Sequence, residues 1–509
     1  MKAAVALSLL LFAQNSLQDD SPAQKACKAL QDKYPKLTAY DLDPRYIEAN
    51  TDFYTSSAFL GPACVFEPSD SYQMADAVLT FQNFSSPFAV RGGGHMPIAD
   101  AANINSTGVL LSTAGLSQVQ VSDDKKTVNV GPGNHWVDVY RGLEPYGLTV
   151  VGGRLGVVGV PGLLLGGGVS YFGNEYGWGS ANIASFTVVL ANGTVAVARA
   201  DNEYSDLFWA LRGGGNSFGI VTNFEMNTIE APEVMIGLAS YVNSEHTADD
   251  FIDAVHDYAV SGTKDHKSAT IPTAEFIQAL GTVFYSSFVF YNGKNESPAS
   301  LKKFLGTKNG TSTNDQGLKT MTNSYSYRSM YKWSQELDPT FPLLKGDRQR
   351  FYVLNIHASN REAIAIVHDT YLDIAKSELP PGVLVAALAF PAVGEKYIEA
   401  STVNGGDPMS LDPEGAPYIW VEESITALST VTDEQLDEFY DKANAEITKR
   451  LKERGIDIPA FLYLNDANPK QDVFATYPQE NVQRLRRIRA KYDPERVYTD
   501  LMPGGWKVD

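Results

Sequence analysis

Three runs of three glycines interrupt this chain, at residues 92–94, 166–168 and 213–215, and they constrain its fold more than any other feature. The first lies in Val-Arg-Gly-Gly-Gly-His, residues 90–95, just after an apolar strand candidate at 88–91. Glycine enters φ > 0 without a Cβ clash and lets main chain press against a ligand. Successive exposed N–H groups in such a turn make a concavity for anions, pyrophosphate among them. His95 ends the run with a nucleophilic imidazole. One short loop therefore has the parts to cradle a large nucleotide and to tether it.

The second cluster, residues 155–168, is apolar and almost uncharged, with glycines at 156, 159, 162 and 166–168. It suits close approach to a flat aromatic body, or equally a tightly packed core turn. The third follows a helix-like stretch at 206–211 and includes Gly215-Asn-Ser217-Phe-Gly219, which matches the nucleophile elbow of serine hydrolases. That elbow needs a strand before the serine and a helix after it. Here a helix precedes and an apolar strand at 219–224 follows, so the pattern argues against a hydrolase. The G-x-G-x-x-G and Walker lysine motifs are absent, so a dinucleotide would need another cradle. The seven histidines (95, 135, 246, 256, 266, 357 and 368) and two cysteines show no metal-ligand spacing.

Charge excludes other classes. The 41 Lys and Arg against 60 Asp and Glu leave a net charge of −19, which repels nucleic acid and anionic membrane surfaces. No run of apolar residues is long enough to span a bilayer. Residues 1–18 read as a secretion signal: Lys2, an apolar run from Ala3 to Ala13, then polar residues. Sequons at Asn83, Asn105, Asn192, Asn295 and Asn309 agree with a secretory route. In an oxidising compartment Cys27 and Cys64 can pair and pin the N-terminal arm to the first strand; otherwise they are two buried thiols.

Strand–helix–strand patterning at 64–91 opens the body of the chain, with Asp70 and Gln73 spaced as a capping box. A hairpin is expected at 119–130 and a helix at 136–143. From 236 to 425, long alternating segments at 284–291, 351–357, 383–390 and 418–424 fit an antiparallel sheet with one covered face. An amphipathic helix at 432–454 opens on Thr432 and Gln435. A strand from 461 and a basic helix at 479–492 end the chain. On that strand Tyr463 and Asn465 would share a face, either holding a substrate hydroxyl and a heterocycle edge or simply facing solvent.

In order along the chain, Arg91-Gly-Gly-Gly-His95, Gly131-Pro-Gly-Asn-His-Trp136, Gly166-Gly-Gly168, Tyr176-Gly-Trp-Gly-Ser-Ala-Asn182, Asp206-Leu-Phe-Trp-Ala-Leu-Arg-Gly-Gly-Gly215 and Tyr463-Leu-Asn465 resemble the flavin oxidases of the vanillyl-alcohol-oxidase (PCMH) type, berberine-bridge-enzyme-like branch. The resemblance runs from Cys64 to Trp506. It implies an α+β fold in which residues 19–235 (PCMH-type core about 60–232) and the return at 456–509 form a two-part FAD-binding domain, with an inserted antiparallel-sheet substrate domain at 236–455. It implies FAD contacts at Arg91, Gly92, Gly93, Gly94, His95, Leu155, Gly156, Gly159, Gly162, Gly167, Asn182, Gly219 and Val221, with Tyr463 as base or relay and Asn465 as its partner.

Many members of that family carry a second flavin link through a cysteine where this chain has Leu155, so a single covalent bond from His95 to a ring methyl carbon is expected. Val169 stands where some relatives have a tyrosine, Ala181 where an acid is common, and Asp407 where Asn is usual. The expected activity is hydride removal from a C–OH or C–N carbon of a small secondary-metabolite-like substrate, with O2 reduced to H2O2, by a secreted monomer. An oligosaccharide C1 oxidase is the alternative within the fold. A flavin-bearing cyclisation scaffold or non-redox binding protein is the alternative outside it.

Overall fold

The computed structural model describes residues 21–306, 318–340 and 346–509. The signal segment and the Asn309 sequon lie outside the described residues. Ser21 caps helix Pro22–Lys33, which buries Ala23, Ala26, Cys27 and Leu30. Cys27 is disulfide-bonded to Cys64, one residue before strand Val65–Phe66. Asp70 caps helix Ser71–Phe84 by accepting from the N–H groups of Tyr72 and Gln73, a device worth about 1 kcal/mol. Gln73 does not complete the box. Its amide oxygen accepts from the Ser69 N–H instead. Beside this helix lies a four-stranded sheet in the order Thr38–Ala39, Val65–Phe66, Val109–Ser112, Phe88–Arg91, its last three strands parallel.

A second sheet of six strands is antiparallel. The expected hairpin, Val119–Val121 with Thr127–Val130, pairs with the long strand Ile220–Glu230, which also pairs with Ile183–Val189 and Leu148–Val150. Helix Ser205–Ala210 precedes Ser217 and strand Ile220–Glu230 follows it, the reverse of a nucleophile elbow. Ser217 is buried, and its hydroxyl accepts from the Val508 N–H.

The third and largest sheet decides where the site lies. Its path runs Thr320–Asn323, Val234–Tyr241, Thr282–Tyr291, Ser268–Ile277, Val383–Ala389, Tyr418–Ala427, Arg348–His357, all antiparallel. Alternation gives it two characters. Ala274, Phe276, Ala386, Leu388, Val421 and Ile425 pack under helices Thr247–Val260, Arg361–Glu378 and Asp433–Glu453. Their neighbours Thr273, Glu275, Val385, Ala387, Glu422 and Ser424 face a cavity on the other side. Helix Asp433–Glu453 opens on the expected capping box of Thr432 and Gln435. The architecture is α+β, and residues from Phe461 to Val508 share one core with Val128, Trp136 and Phe224.

The strand expected from 461 does not form. Asp466 N–H closes a turn on the Tyr463 carbonyl at 3.1 Å, and Leu464–Asp466 is a 3₁₀ turn. Side-chain ties from Asn465 to Leu163 and to Tyr463 hold this stretch where a ladder would otherwise run.

Candidate active site

The 92–95 loop emerges from strand Phe88–Arg91 and packs back-to-back on residues 159–161. A Cβ on Gly93 or Gly159 would overlap the other's main chain, and one on Gly92 would strike Pro161. Gly94 has φ +66°, a left-handed value that favours glycine. Arg91 turns the other way: its Nη2 donates to the Asp52 carbonyl at 2.6 Å and to the Asp52 carboxylate, while the Phe53 ring lies beneath it. It braces the loop and does not line the cavity.

His95 is half-buried and stacked on Tyr54, ring centroids 4.2 Å apart and 12° from parallel. Burial, with a smaller push from His135, lowers its pKa to about 4. At neutral pH the imidazole is uncharged and keeps a free nitrogen lone pair.

Gly92, Gly93, Gly94 and His95 open into a cavity of about 850 Å³. Leu155, Gly159, Gly162, Gly219, Val221 and Asn465 line it too, and nothing would meet a Cβ on Gly162 within 4 Å. Its volume is in the upper part of the usual range for cofactor and ligand sites. A glycine floor, an anion-binding turn and a neutral nucleophile at its rim fit a large flat nucleotide cofactor.

Besides Arg91, three of the expected contact residues sit elsewhere. Gly156 packs on Asp338, whose carboxylate accepts its N–H at 3.1 Å. Gly167 lies against Met409 and Trp178. Asn182 donates to the carbonyls of Tyr176 and Trp178, both at 2.9 Å, and so braces its own turn.

Tyr463 does not line the cavity either. Its ring packs near-parallel beside Trp178 and Trp420, with centroids at 5.5 and 5.4 Å, and the two indoles also stack on each other at 5.0 Å. Its oxygen accepts from the Val169 N–H at 3.0 Å and from Asn465 Nδ2 at 2.8 Å. Those two donors favour phenolate, yet burial and the nearby Asp466 carboxylate hold the phenol well above its ordinary value. Asn465 also donates to the Leu163 carbonyl at 3.0 Å, so it ties the phenol to the glycine-rich wall.

The carboxyl and guanidinium groups that line the cavity are Arg154, Glu422 and Asp466, with Glu275 further along the sheet. Arg154 lies 3.9 Å from Glu422. Burial raises the pKa of both Glu422 and Asp466; the Glu422 charge raises that of Asp466 further, and Arg154 pulls both down. Sequence reasoning missed these groups. The available signal was a Glu-Glu pair in the middle of an otherwise apolar alternating strand, which must turn one carboxylate to each face.

Sheet, glycine floor and carboxylate wall fit a flavin-dependent oxidoreductase. The chain matches the FAD binding domain family over residues 62–199. It is 34% identical over 521 aligned positions to the FAD-dependent monooxygenase prx3 of Penicillium roqueforti, covering all of this chain and 98% of that one. Among solved structures, 6-hydroxy-D-nicotine oxidase from Arthrobacter nicotinovorans superposes with a TM-score of 0.74 at 20% identity, over 93% of this chain and 97% of that one. Glucooligosaccharide oxidase from Acremonium strictum, described as carrying a 6-S-cysteinyl, 8α-N1-histidyl FAD, gives 0.73 at 19% identity with the same coverage. The chain belongs to the family of fungal FAD-dependent monooxygenases.

Proposed function

We propose that this protein oxidises a C–OH or C–N carbon of a small, largely apolar, secondary-metabolite-like molecule and passes the electrons to O2. One observation carries the reading. A single cavity runs from the Gly92–His95 turn to the sheet face that bears Glu422, with Arg154 and Asp466 beside it. The flavin supplies the hydride acceptor and the route to O2. For an alcohol substrate, the alcohol and O2 give the corresponding carbonyl compound and H2O2, the hydroxyl proton passing first to the protein.

The chain's own groups handle that proton. Glu422 and Asp466 are carboxyls made more basic than usual by burial, which suits a general base near neutral pH. Arg154 limits that rise. Tyr463 and Asn465 position the wall. His95, uncharged at the cavity rim, would be the residue that anchors the cofactor; Leu155 provides no thiol for a second link. Arg91 steadies the anchoring loop through Asp52.

The residue-range division into a two-part cofactor domain and an inserted substrate domain at 236–455 belongs to the same proposal, as do secretion, glycosylation and a monomeric state. Asn83, Asn105 and Asn192 are exposed, and Asn295 is half-buried. The disulfide fits an oxidising compartment. Apolar side chains along the sheet wall, Leu238, Ile271, Phe284, Phe288 and Val385, favour a metabolite over an oligosaccharide.

The test is acid precipitation of the purified protein. Yellow colour should stay with the pellet in the wild type and leave it entirely in His95→Ala. Anaerobic mixing with aromatic alcohols, amines and oligosaccharides should bleach the flavin with the first two classes. Bleaching by the sugars alone would overturn the substrate reading.

A further inference from the structure

The cavity face of the large sheet carries a second acid that the reaction does not use. Glu275 sits on strand Ser268–Ile277, between Phe284 on one neighbouring strand and Ala387 on the other. Along its own strand the same face shows Thr273 and Ile277, and all four flanking residues line the cavity with it. Its carboxyl makes no hydrogen bond or ion pair among the described residues, and burial alone raises its pKa. Half-buried at the cavity wall and without a partner among the described residues, it points its acceptor oxygens at cavity space, where a bound molecule can reach them.

Its position relative to Glu422 follows from the register. Glu275 pairs with Ala387, Ala387 pairs with Ser424, and Glu422 is two residues from Ser424 on the same face. Two strand spacings and two residue rises put the two Cα atoms roughly 12 Å apart. The wall between and around them is Ala389, Ala387, Val385 and Ile271, with Thr273 and Ser424 as the polar exceptions.

We propose that Glu275 is the specificity group of the substrate half. It receives a hydrogen-bond donor, hydroxyl or amine, carried at the end of an elongated apolar substrate remote from the carbon that is oxidised. This rests on the function proposed above, with Glu422 marking the reacting end. A substrate that lacks the distal donor displaces water from Glu275 and leaves it unpaired, and such analogues are rejected for that reason. A hydroxyl donates a single hydrogen bond to the carboxyl; an amine, an ammonium ion at neutral pH, would pair with the carboxylate.

The experiment uses the flavin-loaded protein and three probes: para-hexylbenzyl alcohol, its hydroxyhexyl analogue and its aminohexyl analogue. Binding is read from the shift in flavin absorbance without O2, and reduction from bleaching. The wild type should bind one donor-tailed probe at least about tenfold more tightly than the hexyl probe. Glu275→Leu should lose that preference while binding the hexyl probe as well or better. Glu275→Gln, nearly isosteric, should keep preference for the hydroxyl tail and lose it for the amine. Retained absorbance and melting temperature certify that both variants are folded. Equal affinities in the wild type, or an undiminished preference in Glu275→Leu, overturn the inference. Flavin that none of the probes shifts or bleaches counts against the underlying function as well; bleaching without discrimination counts against Glu275 alone.

Discussion

Glu422 and Glu423 are neighbours on strand Tyr418–Ala427, and the sheet sends them to opposite worlds. Glu422 faces the cavity beside Arg154 and close to Asp466. Glu423 is fully buried on the helix side, where Asn444 Nδ2 donates to one of its oxygens at 2.9 Å and the other has no partner. No cation offsets its burial, so its pKa is pushed up to about 8. The same side chain on the same backbone becomes a proton acceptor on one face and a pH-sensitive strut on the other. What differs is the partner: a guanidinium that stabilises the charge, or an amide that does so only weakly.

The comparison breaks most visibly if Glu422 is neutralised. Glu422→Gln should slow flavin reduction by about 100- to 10,000-fold in anaerobic stopped flow, the usual contribution of a positioned acid–base group. It should also flatten the wild type's rise in rate with pH, whose ascending limb should lie above the ordinary carboxylate range. Equal loss in Glu423→Gln would show that the two faces are not functionally distinct. Arg154→Met comes next. With the cation gone, the acidic pair should hold its protons to higher pH, and the ascending limb should move upward by about one unit or more. A limb that stays in place would remove Arg154 from the proton path.

Tyr463→Phe should cost less, about tenfold or under, because its phenol ties Val169 and Asn465 together and does not line the cavity. A loss as deep as that of Glu422→Gln would return the base to the phenol. The smallest effect belongs to the helix face. Glu423's folded pKa of about 8 lies above the ordinary 4.5, so its favourable contribution is complete at low pH and is lost as pH rises through about 8. Glu423→Gln should therefore narrow the drop in melting temperature between acidic and alkaline buffer while leaving the rate of flavin reduction close to wild type. An unchanged melting profile would mean that Glu423 is ionised without penalty.

Much of the framework was legible from local signals. Caps at Asp70 and Thr432, the hairpin at 119–130 and the four alternating segments formed as their periodicity required, because capping and amphipathic pairing act over a few residues. The site was legible only in part. Gly92 to His95 line the cavity as their φ-permissive run suggests, whereas Gly156, Gly167 and Asn182 serve packing, and the 461–466 strand gives way to a turn. Nothing local distinguishes a glycine that opens a floor from one that lets Met409 or Asp338 approach.

By itself the sequence determined a glycine-rich turn ending in a histidine and a central stretch rich in antiparallel strands, since each is written in spacing and residue type over short range. Only the tertiary structure decided that Tyr463 is buried in a cluster with two tryptophans and that Glu422, Asp466 and Arg154 meet. Those three lie hundreds of positions apart in sequence at the extremes, and only sheet register and the C-terminal return bring their charges into one water-poor space, where proximity sets proton affinity.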